Sequence, residues 1–235
     1  MAVTPSPDQN QLLAALPQEV KDRLFPHLER VSLPLGKIIY EADDAAYFVY
    51  FPTDTIISLV QVMENGASAE IAVVGKEGLA GVSVFMGGES TTSRAIVQSA
   101  GHAYRMESHL LKEEFERHGA LLNLMLRYTQ ALITQMAQTA VCNRHHTIHQ
   151  QLCRWLLLSQ DRLSGDQLVM TQELIANMLG VRREGVTEAA RRLHKLGIIE
   201  YSRGRIRILD RAALEEQSCE CYAVVRKETD RLLTY

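Results

Sequence analysis

The spacing of apolar residues gives this chain three successive textures. Over residues 9–30, LLAAL and VKDRLFPHL repeat at helical steps, with Pro17 near one helix start and Pro26 near an end. From Val31 to about Met106 the apolar residues fall instead in short runs rich in Ile, Val, Tyr and Phe: KIIY, YFVYF, TIISLVQVM, AEIAVV, RAIVQSA and HAYRM. Turn-forming pairs such as Asp43-Asp44, Asn65-Gly66 and Gly87-Gly88 separate them, which predicts a sandwich or roll of short strands with a hairpin at Asn65-Gly66. A helical period returns near Ser108, breaks around Gly119 and continues through LLNLMLRYTQALITQMAQTAVC. Leu122, Met125, Thr129, Leu132, Met136 and Thr139 form a seam expected to meet a twin helix, while Leu121, Leu124, Tyr128 and Ile133 supply a second apolar side.

The last texture is denser in local signals. Thr147 and Gln150 have the spacing of a capping box, so a new helix is expected from Thr147, carrying Leu152, Trp155, Leu156 and Leu157 inward. In TQELIANMLGVRREGVTEAARRLHKLGIIEYSRGRIRI, residues 171–208, Thr171 caps a helix whose apolar residues are Leu174, Ile175, Met178 and Leu179, and Gly180 ends it. A second helix buries Val186, Ala189, Ala190, Leu193 and Leu196 and leaves Arg183, Glu184, Thr187, Glu188 and Arg191 on another face. IIEYSRGRIRIL then alternates apolar and polar residues about Arg203-Gly204, as a two-stranded wing would.

A helix, a tight turn, an arginine-led second helix and a basic wing make a winged helix-turn-helix, in which the second helix enters the DNA major groove. Arginine bonds bidentately to guanine and a carboxylate accepts from the cytosine amino group, so Arg183 and Glu184 suit a G·C-containing site. Charge supports the reading. The chain has 235 residues and a net charge of −3, yet residues 182–211 carry nine Arg/Lys against four acids, and residues 1–146 carry eleven against sixteen. Attraction for phosphate is therefore concentrated near one end.

These residues resemble the DNA-binding domain of the Crp/Fnr family of bacterial transcription regulators. The resemblance implies an α+β chain: an N-terminal helical segment (1–30), a β-roll of cyclic-nucleotide-binding-like jelly-roll type (31–110), a dimerisation helix and hinge (111–145), and a C-terminal winged helix-turn-helix (146–235). It implies double-stranded DNA, a second copy of the chain, RNA polymerase and a small-molecule effector as partners. The expected DNA-binding residues are Thr171, Gln172, Arg182, Arg183, Glu184, Thr187, Glu188, Arg191, Arg203 and Arg205. Arg183 and Glu184 match the family's first base-reading positions, whereas Glu188 stands in place of an arginine and Thr187 in place of a glycine.

By the same resemblance, EGLAGVSVFMGGESTTSRAIVQ occupies the place of the phosphate-binding cassette, with Gly78, Gly81, Ser93 and Arg94 as the effector pocket. It departs from the family's pattern: Ser93 and Arg94 are in reversed order, and glycine or valine stands where a ribose-binding glutamate is expected. Arg94 fits either a bound anion or a solvated strand position. Cyclic AMP is therefore not assigned, and the effector is unidentified or absent.

Cys142, His145, His146, His149 and Cys153 fall at spacings that would align several of them on one continuous helix, and Cys219-Glu220-Cys221 forms a second pair. The break expected at Thr147 favours hinge residues and helix packing, with no metal or cofactor; a metal- or redox-responsive regulator is the alternative. An enzyme would need further acidic ligands and a base that the pattern lacks. Four cysteines without a leader-like segment or a membrane-length apolar run lead us to expect free thiols and a cytoplasmic location away from the membrane.

Overall fold

The N-terminal apolar repeats make two short helices, α1 (Gln11–Ala14) and α2 (Gln18–Leu24). Seven strands follow: β1 (Glu29–Leu33), β2 (Ile38–Tyr40), β3 (Phe48–Pro52), β4 (Ile56–Val62), β5 (Ser68–Val74), β6 (Arg94–Ser99) and β7 (Gly101–Glu107). Next come α3 (Ser108–Phe115), the long α4 (Ala120–His145) and α5 (Ile148–Gln160). The chain closes with β8 (Gln167–Val169), α6 (Gln172–Leu179), α7 (Arg183–Lys195), β9 (Ile199–Ser202), β10 (Arg205–Ile208), α8 (Arg211–Gln217) and α9 (Glu220–Leu233). This computed structural model describes residues 4–88, 90–163, 165, 167–202 and 204–233. The helical reading of residues 9–30 runs slightly too far. Glu29 already pairs with Arg105 of β7, and their side chains form an ion pair at 2.7 Å across the ladder.

The roll is two antiparallel sheets, β1-β7-β3 and β2-β6-β4-β5. Because side chains alternate along a strand, Tyr50 and Ala103 face inward to meet Ile57, Leu59, Val74 and Val97 of the other sheet. Val49, Phe51, Tyr104 and Met106 face outward, onto α1, α2 and the start of α4. The Asn65-Gly66 hairpin joins β4 to β5. Between Leu59 and Val60 the register shifts: Leu59 pairs with Ala72 and Val60 with Glu70, leaving Ile71 as an extra residue in β5.

α4 turns most of both apolar sides inward, for Leu121, Leu124 and Tyr128 of the second side are buried in one cluster with Met125. Leu132 is 4% exposed and belongs to the interior of the roll, and Met125 packs with α1 and α2, so the seam assigned to a twin helix faces this chain's own core. Gln135 explains part of this, for its amide accepts from the Val73 N–H at 2.7 Å and donates to the Val73 carbonyl at 3.1 Å, capping the open edge of β5. The outward side carries Leu126, Ile133 and Val141, each about half exposed.

The C-terminal domain shares a core with the roll. Ile56, Val60 and Val73, on the outer face of β4 and β5, pack in one cluster with Trp155, Leu156, Ile175 and Leu179. The indole N–H of Trp155 donates to Glu70 at 3.0 Å, and the Arg162 guanidinium stands 2.7 Å from Glu77. Ser58 lies 2.6 Å from the other Glu70 oxygen and 2.8 Å from Gln98 Oε1, while Gln98 donates to Ser159 at 3.0 Å. One hydroxyl proton cannot serve two acceptors. When Glu70 is ionised Ser58 donates to it; when Glu70 is protonated it can donate to Ser58, which frees the Ser58 proton for Gln98. Burial pushes the Glu70 carboxyl up to about 7, against the hydrogen bonds that Ser58 and Trp155 donate to the ionised form and the pull of Arg154 and Arg162.

A carboxyl whose folded pKa is raised binds its extra proton in the native state, so the stability it contributes is full below its unfolded value and lost as pH rises through about 7. Glu70→Gln keeps a donor for Ser58 and an acceptor for Trp155 without the ionisation. The variant should be more stable than the parent by roughly 1–3 kcal/mol near pH 8.5, with the gap closing near pH 5, measured by denaturant unfolding at both. A gap independent of pH would remove the protonated-carboxyl account.

Candidate nucleic-acid interface

The helix-turn-helix is built by its termini. Thr171 accepts from the Leu174 N–H at 3.2 Å, starting α6. Gly180 ends it at φ 65°, and a Cβ there would also lie 3.1 Å from Ala69 of β5, so both the turn and the docking on the roll favour glycine. Arg182 is the extended residue before α7. Val186, Ala189, Ala190 and Leu193 are buried as the spacing predicts, but Leu196 is 54% exposed. It is the residue after the last helical turn, past the point where the stripe faces the core.

The opposite face of α7 is open. Arg183 and Glu173 stand 3.9 Å apart and both are 63% exposed, an ion pair loose enough for Arg183 to exchange partners. Thr187 donates to Gln172 Oε1 at 2.7 Å, tying the two helices beside this face. Gln172, Arg183, Glu184, Thr187, Glu188 and Arg191 line one surface cleft of about 800 Å³, and Tyr201 of β9 completes it. Tyr201 and Glu173 were not singled out from the sequence. Tyr201 is in a strand whose alternation was legible, but its nearness to α7 depends on how the wing folds back.

The wing has three strands, in the order β8-β10-β9. Arg205 pairs with Ser202 and with Val169, and its side chain is exposed. Arg203 lies outside the described residues. Strand β8 escaped the sequence reading because three residues carry almost no alternation.

The four residues expected around an effector are each engaged in the roll. Arg94 Nε donates to Glu41 at 2.7 Å, and the Ser93 hydroxyl is 3.1 Å from that of Thr91. Gly78 adjoins α4 so closely that a Cβ would sit 2.6 Å from the Tyr128 ring; its carbonyl accepts from the Asn10 amide at 2.8 Å. Gly81 precedes a single 3₁₀ turn, Val82–Val84. A cavity of about 430 Å³ on the roll is lined by residues between Ile39 and Tyr50, none of them in this set.

The Cys and His residues separate into different surroundings. Thr147 and Gln150 form the expected capping box, so α4 ends at His145 and α5 starts at Ile148. Cys153 is buried in the core of the C-terminal domain, His145 is exposed, and His149 Nε2 is 3.0 Å from Gln217 Oε1. Cys142 and His146 instead meet Cys219 and Cys221, which the sequence had shown only as a separate pair. No helix among the described residues is long and apolar enough to cross a membrane.

Residues 150–217 match the Crp-like helix-turn-helix domain, and residues 30–118 the cyclic nucleotide-binding domain. The global nitrogen regulator of Synechococcus elongatus is 23% identical over 211 residues, 83% of this chain and 95% of that protein. The fold resembles FixK2 from Bradyrhizobium japonicum, at a TM-score of 0.70 and 17% identity, covering 82% of this chain and 98% of that one. It also resembles a putative Crp/Fnr-family regulator from Eubacterium rectale, at a TM-score of 0.69 and 17% identity, covering 89% and 98%. The two domain matches follow each other in the order of the roll and the winged domain and together take in more than half of the chain, which belongs to the Crp/Fnr family of transcription regulators and carries its helix-turn-helix DNA-binding domain.

Proposed function

We propose that this protein binds a palindromic DNA site as a homodimer, with α7 in the major groove and the wing on the backbone. The observation that carries the reading is the open face of α7, where two cations, two carboxylates and a hydroxyl share one cleft beside the turn. Arg183 reads guanine, Glu184 and Glu188 accept from cytosine amino groups, and Thr171, Gln172, Arg182, Thr187, Arg191, Arg203 and Arg205 complete the contacts to bases and phosphates. As a transcription regulator it would work beside RNA polymerase rather than as an enzyme.

Dimerisation places two recognition helices about one DNA turn apart. The outward stripe of α4, with Leu126, Ile133 and Val141, spans much of a 26-residue helix and supports pairing with a second copy of itself about a two-fold axis. The effector is unidentified or absent. The pairing of Arg94 with Glu41 supports a roll that does not hold a cyclic nucleotide phosphate through this arginine, since an anion would first have to displace a carboxylate.

Arg183 is exposed and its ion pair is loose, so Arg183→Ala should leave thermal stability unchanged while costing roughly 1–3 kcal/mol of specific DNA binding and relaxing one base pair per half-site. A binding titration with undiminished affinity and selectivity would refute the role. Ile133→Glu places a charge on the outward stripe and should give folded monomers in sedimentation, with the palindromic site bound far more weakly. A persistent dimer would put the interface elsewhere. Calorimetry with cyclic AMP should show no micromolar binding; tight binding with a matching gain in DNA affinity would restore a nucleotide-driven switch.

A further inference from the structure

Four potential ligand atoms converge where the end of α4 meets the start of α9. Cys142 is on the last turn of α4 and His146 four residues on, at its C-cap. Cys219 immediately precedes α9 and Cys221 is its second residue. All three thiols are buried, and the one ligand atom from each of the four residues lies within 4.8 Å of every other. Cys142 Sγ is 3.6 Å from Cys219 Sγ, and Cys221 Sγ is 3.6 Å from His146 Nδ1. With zinc–sulfur bonds of about 2.3 Å and zinc–nitrogen bonds of about 2.0–2.1 Å, the edges of a coordination tetrahedron are about 3.8 Å between sulfurs and about 3.6 Å between sulfur and nitrogen.

We propose that Cys142, His146, Cys219 and Cys221 bind one zinc ion in a closed tetrahedral site that fastens α9 to α4 beside the hinge. Two neighbouring features suit an ion. His146 Nε2 is 3.3 Å from the Glu220 carboxylate, which orients the ring so that Nδ1 faces the thiols, the usual support of a metal-bound imidazole. Arg154 is 3% exposed, donates to the Thr139 hydroxyl at 3.1 Å and keeps a buried Nε with no hydrogen-bond partner among the described residues. Three thiolates and one divalent cation carry a net single negative charge, a counterpart for that buried cation. Binding releases the thiol protons to solvent and leaves no open coordination position, so the ion is structural rather than catalytic. Four ligands this close together fit a single ion; an iron–sulfur cluster spreads its ligands over separate irons.

The test uses the full chain purified in reductant without chelators. Elemental analysis should find one zinc per chain, and cobalt titrated into the chelator-stripped protein should develop thiolate-to-cobalt charge transfer with intense tetrahedral ligand-field bands. Cys142→Ser and Cys221→Ser should lose both signals. Glu220 is exposed and outside the ligand set, so Glu220→Gln should stay folded yet bind zinc about 10–100-fold more weakly. A zinc-free wild-type chain with no cobalt spectrum overturns the proposal, as does a Cys142–Cys219 disulfide recovered from the native protein in place of the metal.

Discussion

A buried indole N–H must find an acceptor, and Trp155 finds one on a strand of the other domain. Its partner Glu70 is almost fully buried, and the pair sits inside a cluster that already mixes roll residues with winged-domain residues. The two halves are therefore not independent bodies joined by a linker. Separating them would expose Ile56, Val60 and Val73 to water, so the relative placement of α7 is held by apolar burial, while the Trp155–Glu70 hydrogen bond satisfies polar groups that the joint takes out of water. α7 inherits its orientation through α5, since Gly185 lets the two helices approach until Ile148 leaves no room for a side chain.

The same docking separates two kinds of surface. The face of α6 and the turn at Gly180 is used up against β5, whereas the basic and acidic tips of α7 stay in solvent. Electrostatics then acts on a surface whose geometry is already set. The acidic roll and the cationic winged domain make the chain a dipole whose positive end carries the cleft, which favours approach to phosphate in one orientation.

What could be read from the sequence is what local chemistry decides. Thr147 with Gln150, Thr171, Gly180 and Asn65-Gly66 each act within a few residues, and the breaks they set appear where expected. The burial of α4 could not be read this way: most of both apolar stripes packs on this chain, and the placement of the helix depends on contacts such as that of Gln135 with β5, some sixty residues away. The cysteines show the same limit. Cys142 and Cys219 are 77 residues apart, and nothing local brings them together. α9 had a legible signal in Cys221, Tyr222, Val225 and Leu232, which the eye passes over when Cys219-Glu220-Cys221 is taken as a motif by itself.

The extra residue in β5 acts as a phase shift. On the hairpin side of Ile71 the strand turns Glu70 toward Ser58 and Trp155; beyond it, Ala72 and Val74 return to the interior of the roll and Val73 to the joint. A single strand thus addresses two neighbours in different registers. Straightening the strand with all its residues kept would restore strict alternation, put Glu70 on the face of Ala72 and Val74, and move the carboxyl into the apolar interior. Loss of Ile71 itself would leave Glu70 opposite Val60 on the joint face, so a one-residue gap at that point removes the bulge and keeps the joint.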